Sequence, residues 1–327
     1  MSSGFSQSDT IAMLGERYLL VKKIGKGATS TVYLGYDKLE KNNELFAFKI
    51  LRNSSTLSEN ETFKNEAKTL SLIENANIVH FYESGTSLLS KTNGKKKEVS
   101  YIKTEYLEHG DLFDFVYYPK KGLGENLGRI VLYSIINGLE AVHCSGFIHR
   151  DLKAENIMVN SSFNIKIADF GFSTRIEGPN NCGKHYAYLG TPSYAAPELL
   201  SKIPYYGVCN DIFSLGIIMF VVVTGSMPFR LAVFNDMFYS YVMKGDYEGF
   251  WKKRNVKLSK SFMELFNSMI SFDPVQRPSL AEIKESKWIS EGNYSIDNFY
   301  LLREECLKRL NVVQKKKAKK NNNVKKK

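Results

Sequence analysis

Two short stretches that lie close together in the sequence decide its interpretation: His149-Arg150-Asp151-Leu152-Lys153-Ala154-Glu155-Asn156 and Asp169-Phe170-Gly171. Phosphoryl transfer needs a carboxylate that orients the attacking hydroxyl, a cation on the moving group and hard oxygen ligands for Mg²⁺. Asp151, Lys153, Asn156 and Asp169 fit these roles. A loop of solvated charges would not explain why these residue types occur in this order between predicted strands, so the stretches predict phosphoryl-transfer chemistry.

Glycines upstream fall in a turn between two predicted strands, in the run Ile24-Gly25-Lys26-Gly27-Ala28-Thr29-Ser30-Thr31-Val32. Glycine allows a hairpin backbone to approach phosphate oxygens closely. Ser30 takes the place of the third glycine of the full pattern, so a plain hairpin turn is the alternative. The turn does not open a helix, which argues against a dinucleotide-binding fold.

A lysine and a glutamate could form a second phosphate-binding element. Lys49 ends a predicted strand, and Glu66 lies on the helix predicted to follow it. This spacing can place a cation on phosphates while a carboxylate holds it. The alternative is a surface ion pair, which is common and contributes little to stability.

The pattern of secondary structure changes once along the chain. Up to Glu105 it is strand-like, rich in β-branched and aromatic residues, with one predicted helix at 59–73. Strands are also predicted at 78–83 and 99–105, separated by a lysine-rich loop at 85–98. Further on, the period is helical, in five segments: 111–117, 127–144, 211–224, 234–243 and 261–272. The sequence therefore predicts a small β-rich part and a larger helical part.

Composition restricts the class of protein. The formal net charge is +11, but eight lysines lie between Lys315 and Lys327, which leaves +3 for the other residues. Basicity therefore belongs to a tail, not to a groove in the fold. The four cysteines form no C-x-x-C pair, there is no signal peptide, and no apolar run reaches the ~18 residues of a membrane span. We expect an intracellular protein without a transmembrane segment, cytoplasmic, nuclear or both.

Taken together, the motifs resemble those of eukaryotic protein kinases over residues 18–288, and the chain looks similar to the calcium/calmodulin-dependent and AMP-activated kinase-like group. The motifs occur in family order: Gly25-x-Gly27 with Val32, Ala47-x-Lys49, Glu66, His149 to Asn156, Asp169-Phe170-Gly171, Ala196-Pro197-Glu198, Asp211 and Arg277. The resemblance implies an α+β, bilobal protein kinase fold. It implies an N-terminal extension (1–17), a kinase domain (18–290) with N-lobe 18–104, hinge 105–110 and C-lobe 111–290, and a C-terminal helix with a lysine-rich tail (291–327).

The resemblance also assigns roles to single residues. Asp151 would be the catalytic base, with Lys153, Lys49, Asn156 and Asp169 as further catalytic groups. Asn156 and Asp169 would hold Mg²⁺, for which Mn²⁺ could substitute. ATP would be bound by seventeen positions: Ile24, Gly25, Lys26, Gly27, Ala28, Thr29, Ser30, Val32, Ala47, Lys49, Glu66, Thr104, Glu105, Leu107, Asp111, Met158 and Asp169. Glu198 and Arg277 resemble the ion pair that braces the substrate-binding lobe.

Substrate recognition is implied for three residues: Asp111, Glu155 and Thr191. Lys153 and the run 190–194 are similar to the serine/threonine branch of the family, and the two carboxylates match positions that select a basic residue N-terminal to the acceptor. Ala187 stands where many relatives carry a phosphorylated threonine. We therefore expect activity without a phosphothreonine at that position.

The C-terminal segment leaves alternatives open. The predicted helix at 298–313 is amphipathic, which fits either a calmodulin-binding segment or a helix docked on the large lobe. The lysine tract could contact anionic lipid or nucleic acid, serve as a nuclear address, or only add solubility.

Three rivals to a serine/threonine protein kinase acting on protein substrates have distinct signatures. A pseudokinase scaffold would lack one of the lysine or aspartate groups, and none is missing. A nucleic-acid-binding protein would show salt-dependent binding without ATP consumption. A small-molecule kinase would lack the match to the protein-substrate platform at 190–198 and Arg277.

Overall fold

The computed structural model describes residues 10–27, 29–40, 44–52, 56–179 and 181–324, with side chains as far as Lys316. The chain forms two compact units, Met1–Glu108 and His109–Lys327. The first is a β-structure with one helix and the second is largely helical. This is the α+β organisation that the sequence predicts.

The first unit is a closed antiparallel barrel in the strand order β1-β2-β3-β4-β6-β5. Its elements are β1 Ala12–Leu14, β2 Tyr18–Lys26, β3 Ser30–Asp37, β4 Leu45–Leu51, α1 Leu57–Ser71, β5 Phe81–Lys91 and β6 Lys96–Glu105. Helix α1 begins with a capping box, in which the Thr56 side chain and Glu59 each bond to the other's backbone N–H. The barrel core includes the apolar Leu20, Phe46 and Phe48, and Lys103 is buried against Phe46, where it pairs with Asp37 at 3.3 Å.

Strand β1 lies inside residues 1–17, which the sequence suggested were an extension outside the domain. It pairs with both β2 and β5, with Met13 opposite Leu19 and Ser90, and so closes the barrel. The Leu14 side chain is fully buried in the barrel core. A strand of three residues is too short for its alternation to be recognised in the sequence.

The predicted loop at 85–98 is wrong, because β5 and β6 continue through most of it as one long hairpin. Ser87 pairs with Val99 and Leu89 with Lys97. The turn is confined to four residues around Asn93-Gly94, where Gly94 has a φ of 81°. Asn-Gly is typical of tight hairpins. Leu89 and Val99 are buried, whereas Lys95 and Lys96 are exposed and Lys97 is partly buried opposite Leu89, so a strand was mistaken for a polar loop.

The second unit contains ten helices among its described residues: α2 Leu112–Tyr117, α3 Gly124–Cys144, α4 Pro197–Leu200, α5 Gly207–Thr224, α6 Tyr239–Met243, α7 Tyr247–Arg254, α8 Lys260–Met269, α9 Leu280–Glu285, α10 Lys287–Ser290 and α11 Ile296–Val324. Its seven strands are short: β7 Gly110–Asp111, β8 Phe147–Ile148, β9 Ile157–Val159, β10 Ile165–Ile167, β11 Thr174–Arg175, β12 Lys184–His185 and β13 Tyr205–Tyr206. Helices α3 and α5 pack against each other.

Some helix boundaries differ from those predicted. The helix expected at 234–243 begins only at Tyr239, because the Asp236 carboxylate accepts backbone N–H groups on both sides and shapes a loop before it. Helices α4, α7, α9 and α10 were missed, since each is too short to show a clear period. Helix α11 runs past the predicted end at 313 to Val324.

Helix α5 is the buried core helix that the apolar run at 215–223 predicts. By length and composition it could cross a membrane, but 83% of its most apolar window is buried inside the structure. A Cβ on Gly216 would lie 3.0 Å from the Cβ of Met269, so α5 and α8 pack closely at this glycine. Its burial is that of a core helix in a folded unit.

The predicted ion pair between Glu198 and Arg277 is confirmed. The Arg277 guanidinium donates to both Glu198 carboxylate oxygens at 2.6 and 2.8 Å. It also donates to the carbonyls of Cys209 and Ser271. Both side chains are buried, so each charge depends on the other.

Leu14→Ala tests whether β1 belongs to the fold. We expect it to lower the free energy of unfolding by about 2–5 kcal/mol, because it leaves a cavity in the barrel core. Ile11→Ala is the matched control on the same segment, since Ile11 is 40% exposed, and its cost should stay below about 0.5 kcal/mol. The measurement is unfolding by circular dichroism. Equal effects of the two substitutions would place β1 outside the stable core.

Candidate active site

The carboxylate of Asp151 is held by three neighbouring polar groups. Lys153 Nζ lies 2.6 Å from Asp151 Oδ2, and the Thr191 hydroxyl donates to Oδ1 at 2.8 Å. Lys153 also donates to Thr191 Oγ1 at 2.8 Å, which closes a triangle of three side chains. Asn156 Nδ2 donates to the Asp151 carbonyl at 2.9 Å. Asp151 is only 6% exposed, so its position is set tightly by these contacts.

The backbone that carries Asp151 is anchored from below by the buried carboxylate of Asp211 on α5. Asp211 accepts the backbone N–H of His149 at 2.9 Å and that of Arg150 at 3.0 Å. His143 Nε2 lies 3.0 Å from the same carboxylate. Burial alone would raise the pKa of Asp211, but the contacts with His143 and His149 outweigh burial and lower the pKa below its usual value.

Arg150 needs this anchor because its φ is 66°, a left-handed conformation that is unfavourable for a side chain of this size. The bend is completed by Gly190, whose φ is 109°. A Cβ at Gly190 would lie 2.6 Å from the Arg150 carbonyl oxygen, so only glycine fits there. The segment after Gly190 is thereby held close enough for Thr191 to reach Asp151.

The two residues expected to hold a metal ion lie at adjacent positions. Ala168 N donates to the Asn156 carbonyl at 2.9 Å. Asp169 is the next residue after Ala168, so this hydrogen bond brings Asp169 close to Asn156. Because Asn156 Nδ2 is committed to Asp151, its amide oxygen is the atom that can serve a cation. Asp169 is exposed and has a φ of 62°. One carboxylate and one amide oxygen fit a hard divalent cation completed by phosphate oxygens and water.

Lys49 and Glu66 meet in the first unit, as the spacing of strand and helix allowed. Lys49 Nζ lies 2.6 and 2.7 Å from the two Glu66 carboxylate oxygens. Glu66 is 4% exposed and Lys49 projects from β4. The contact is therefore not a surface ion pair, which was the alternative. Burial makes a matched charge necessary for both groups.

The glycine-containing turn is the β2–β3 hairpin. Gly25 pairs with Val32 and Lys26 with Thr31, and Gly27 N donates to the Ser30 carbonyl at 3.0 Å. Of the predicted ATP-binding residues, Ala28 lies outside the described residues. Among the residues that the structure describes, a Cβ at Gly25 or Gly27 would meet nothing closer than 3.5 Å. The fold itself therefore does not require glycine at either place.

Three further predicted nucleotide-binding residues lie at the end of the first unit. Thr104 sits on β6 opposite Ala47 and Phe81. Glu105 follows, and its N–H donates to the His80 carbonyl at 3.0 Å. Leu107 comes after the strand and is 8% exposed. Ile24, Val32 and Thr29 belong to the β2–β3 hairpin and its turn.

The predicted residues of the second unit cluster around β7 and β9. Asp111 pairs with Met158, and its side chain accepts the Asp114 N–H as the N-cap of α2. Glu155 lies in the 3-10 helix that ends at Asn156. Burial raises the pKa of Tyr194, and the negative charges of Glu155 and Asp111 raise it further. Strand β7, which carries Asp111, contacts the 3-10 helix that carries Glu155, so the two carboxylates lie in one acidic area.

Arg150 and Tyr205 each donate a hydrogen bond to the backbone of the segment 172–187, which carries Ala187. Its Nε donates to the Phe172 carbonyl at 2.6 Å. The Tyr205 hydroxyl donates to the Ala187 carbonyl at 3.0 Å. Burial and the charge of Arg150 lower the pKa of His185. The segment is thus held by Arg150 and Tyr205, which donate to its main-chain carbonyls at Phe172 and Ala187.

Each unit brings its own predicted residues together. The first unit gathers Lys49 with Glu66 and contains the hairpin, and the second gathers Asp151, Lys153, Asn156 and Thr191. The anchoring roles of Asp211 and Gly190 were missed, although both residues were noted within motifs. Thr191 was expected in substrate recognition, and its hydrogen bonds to Asp151 and Lys153 add a positioning role. No sequence signal separates these roles, since they depend on contacts between distant segments.

Asp211→Asn tests the anchor through its pH dependence. The lowered pKa means that Asp211 contributes stability above its unfolded value of 3.8 and loses it as the pH falls through the folded pKa. At pH 7 we expect the free energy of unfolding of the variant to be lower by about 1–3 kcal/mol. This gap between the variant and the unaltered protein should shrink as the pH falls below 3.8. The two tryptophans, both in the second unit, report unfolding by fluorescence. Glu264→Gln, at an exposed carboxylate, is the control. An unchanged gap down to pH 2 would contradict the anchor.

Comparison with known proteins shows the family to which the chain belongs. The family model described as "Protein kinase domain" matches residues 18–289. CBL-interacting protein kinase 14 of Oryza sativa subsp. japonica is 32% identical over 285 residues, which cover 86% of this chain and 60% of that protein. CBL-interacting serine/threonine-protein kinase 17 of Arabidopsis thaliana is 33% identical over 299 residues, 88% of this chain and 64% of that protein. The chain thus spans about three fifths of the length of these curated relatives. The chain belongs to the protein kinase domain family.

Proposed function

We propose that this protein is a serine/threonine protein kinase that transfers the γ-phosphate of ATP to a protein hydroxyl. The observation that carries the proposal is the triangle of Asp151, Lys153 and Thr191, with Asn156 bonded beneath it. Such a carboxylate and cation are what phosphoryl transfer requires. The paired Lys49 and Glu66 support the same chemistry.

In the proposed reaction, Asp151 orients the substrate hydroxyl and accepts its proton. The hydroxyl oxygen forms a bond to the γ-phosphorus as the bond to the β–γ bridging oxygen breaks, which gives ADP and a phosphoprotein. Lys153 balances negative charge on the transferred group, while Lys49, held by Glu66, contacts the α- and β-phosphates. The contribution of the protein is positioning and electrostatic stabilisation.

A divalent cation fits the proposal. We propose Mg²⁺ as the ion, with Mn²⁺ as a substitute, held by Asn156 and Asp169. Bound Mg²⁺ neutralises phosphate charge. Among the described residues, no group of three or more His, Cys, Asp or Glu could hold a metal by itself. Mg²⁺ is usually held by one or two protein carboxylates together with substrate phosphates and water.

The hairpin glycines support nucleotide binding. Since a Cβ at Gly25 or Gly27 would fit the fold, the glycines are better explained by close approach of a ligand. In this proposal the backbone around Lys26 and Ser30 covers the phosphates, and the peptide groups of Glu105 and Leu107 bind adenine. Ala47 and Val32 would contact the ring.

Serine and threonine are the proposed acceptors, with a basic residue N-terminal to them. Support for the basic preference comes from the acidic area of Asp111 and Glu155, both of which act on Tyr194. An arginine side chain would pair with these carboxylates. A pseudokinase scaffold is disfavoured, because the lysine and aspartate groups are all present.

Partners and location remain proposals of the same kind. The described part of α11 is docked on α2 and α3, which favours intramolecular docking over calmodulin binding for residues 298–313. The lysine tract could add contacts with anionic lipid or nucleic acid, which deletion of 315–327 and salt-dependent binding would separate. The four free cysteines support an intracellular location, testable by imaging a tagged protein.

Asp151→Asn tests the reaction. We expect phosphate transfer to a serine/threonine peptide to fall by about 10²–10⁴-fold, because the base is lost, while ATP binding measured by calorimetry stays unchanged. Glu264→Gln should retain full activity. Phosphatase-treated protein should also be active, since Ala187 cannot carry phosphate. ATP binding without transfer in the unaltered protein, with Mg²⁺ or Mn²⁺, would favour a scaffold.

Glu155→Gln tests the basic preference. For a peptide with arginine N-terminal to the acceptor we expect KM to rise about ten-fold, equal to the loss of 1.4 kcal/mol. For the matched peptide with alanine instead of arginine, KM should not change. Equal KM values of the two peptides with the unaltered protein would overturn the preference without affecting the assignment as a kinase.

A further inference from the structure

Helix α11 inserts a buried arginine into the second unit. Four of its residues, spaced by four, three and four, are at most 5% exposed: Leu302, Cys306, Arg309 and Val313. This spacing places them on one face of the helix, which packs on α2 and α3. Three are apolar or weakly polar, and Arg309 is the one charged member, so its partners decide whether the face is stable.

The guanidinium of Arg309 is paired with three main-chain carbonyls and a carboxylate. Nη1 donates to the carbonyls of Phe115 at 3.0 Å and Lys121 at 2.6 Å, and Nη2 to that of Gly122 at 2.8 Å. Nε donates to Glu305 Oε1 at 2.7 Å, one turn earlier on α11. The contacts are buried or partly buried, where charge-assisted hydrogen bonds are strongest.

The Phe115 carbonyl has a specific need for such a donor. In a continuing helix it would accept the N–H of the residue four positions on, and that residue is Pro119, which has none. Helix α2 ends here, at Tyr117. A cation is favoured at the C-terminal end of a helix, where carbonyls point outward. Arg309 therefore completes the end of α2.

The segment that follows α2 is fixed at the same point. Gly122 lies against the end of α5, where a Cβ would be 2.1 Å from the Val223 carbonyl oxygen. Leu123 N donates to the Val222 carbonyl at 2.7 Å. Arg309 binds the carbonyls of Lys121 and Gly122 from the other side. The C-terminal end of α2 is thus clamped between α5 and α11.

The opposite end of α2 carries the proposed substrate contacts. Asp111 caps its first turn, and α2 packs against β9 and the 3-10 helix Ala154–Asn156, which contains Glu155. The helix is six residues long with Leu112, Phe115 and Val116 buried, so it moves as one body. A shift at its C-terminal end is therefore transmitted to Asp111.

We infer that Arg309 is a positioning residue that holds α2, and through it Asp111, in place for the basic side chain of the substrate. The inference rests on the proposed function. It assigns the docked part of α11 a supporting role in catalysis, carried by a residue about 200 positions from Asp111 in sequence.

Kinetics of Arg309→Met test the inference. We expect KM for the arginine peptide to rise about three- to ten-fold, within the range of indirect effects on a site, with kcat unchanged. Arg309→Lys should restore part of the loss, because an ammonium can still reach carbonyls. Arg303→Met, at an exposed arginine on the same helix, is the control. A fall in kcat with KM unchanged, or kinetics like those of the unaltered protein, would overturn the inference.

A double substitution separates positioning from general damage. If Arg309 acts through Asp111, then Arg309→Met should add nothing to the KM of Asp111→Asn, whereas independent effects would multiply. A KM of the double variant equal to the product of the two separate fold-changes would therefore contradict the inference.

Hydrogen exchange provides a readout that needs no catalysis. Amides 112–118 should exchange faster in Arg309→Met than in the unaltered protein or in Arg303→Met. Unchanged exchange would show that Arg309 does not hold α2. If Arg309→Met exchanges faster but the unaltered protein transfers no phosphate, the proposed function is refuted, whereas the role of Arg309 in holding α2 is supported.

Discussion

The site depends first on a buried carboxylate, that of Asp211, which accepts two successive backbone N–H groups. Arg150 adopts a left-handed backbone conformation that costs free energy and persists only when its surroundings fix it. The hydrogen bonds from His149 and Arg150 to Asp211 do this. Without them the loop could not turn Asp151 toward Lys153 and Thr191. Asp211 would not contact the substrate, yet it fixes the position of Asp151, which would act on the substrate.

Asp211 is one of several contacts made by the same helix. At the N-terminal end of α5, Asn210 accepts the Ala196 N–H, and Ser214 donates to the Tyr194 carbonyl. The Cys209 carbonyl accepts from Arg277. At the C-terminal end, Val222 receives the Leu123 N–H. The most apolar helix of the protein therefore ties the catalytic loop, the segment around Tyr194 and the loop after α2 to one rigid body.

The sequence predicted the class of fold and named the polar residues that the second unit brings together, because phosphoryl transfer requires particular residue types in a particular order. Asp151, Lys153 and Asn156 could be named before their contacts were known. Prediction from the sequence failed for features that are defined by contacts between distant segments. Strand β1 is three residues long and is defined by its pairing. The lysines at 95–97 made the start of β6 look like a polar loop, because few of the residues in this part of the strand are buried. The positioning roles of Asp211 and Gly190 follow from distances between segments about 40–60 positions apart, which local patterns do not contain.

The C-terminal helix shows how a correct pattern can leave its meaning open. Amphipathic spacing predicted an apolar face at 298–313, and both a docked helix and a calmodulin ligand have such a face. The contacts of Arg309 favour the docked helix, since release of the helix would leave the carbonyls of Phe115, Lys121 and Gly122 without their donor. Each unpaired buried group costs about 1–3 kcal/mol. A partner that binds this face must therefore compensate for the whole cluster, so docking on α2 and α3 is the ground state from which any regulation would start.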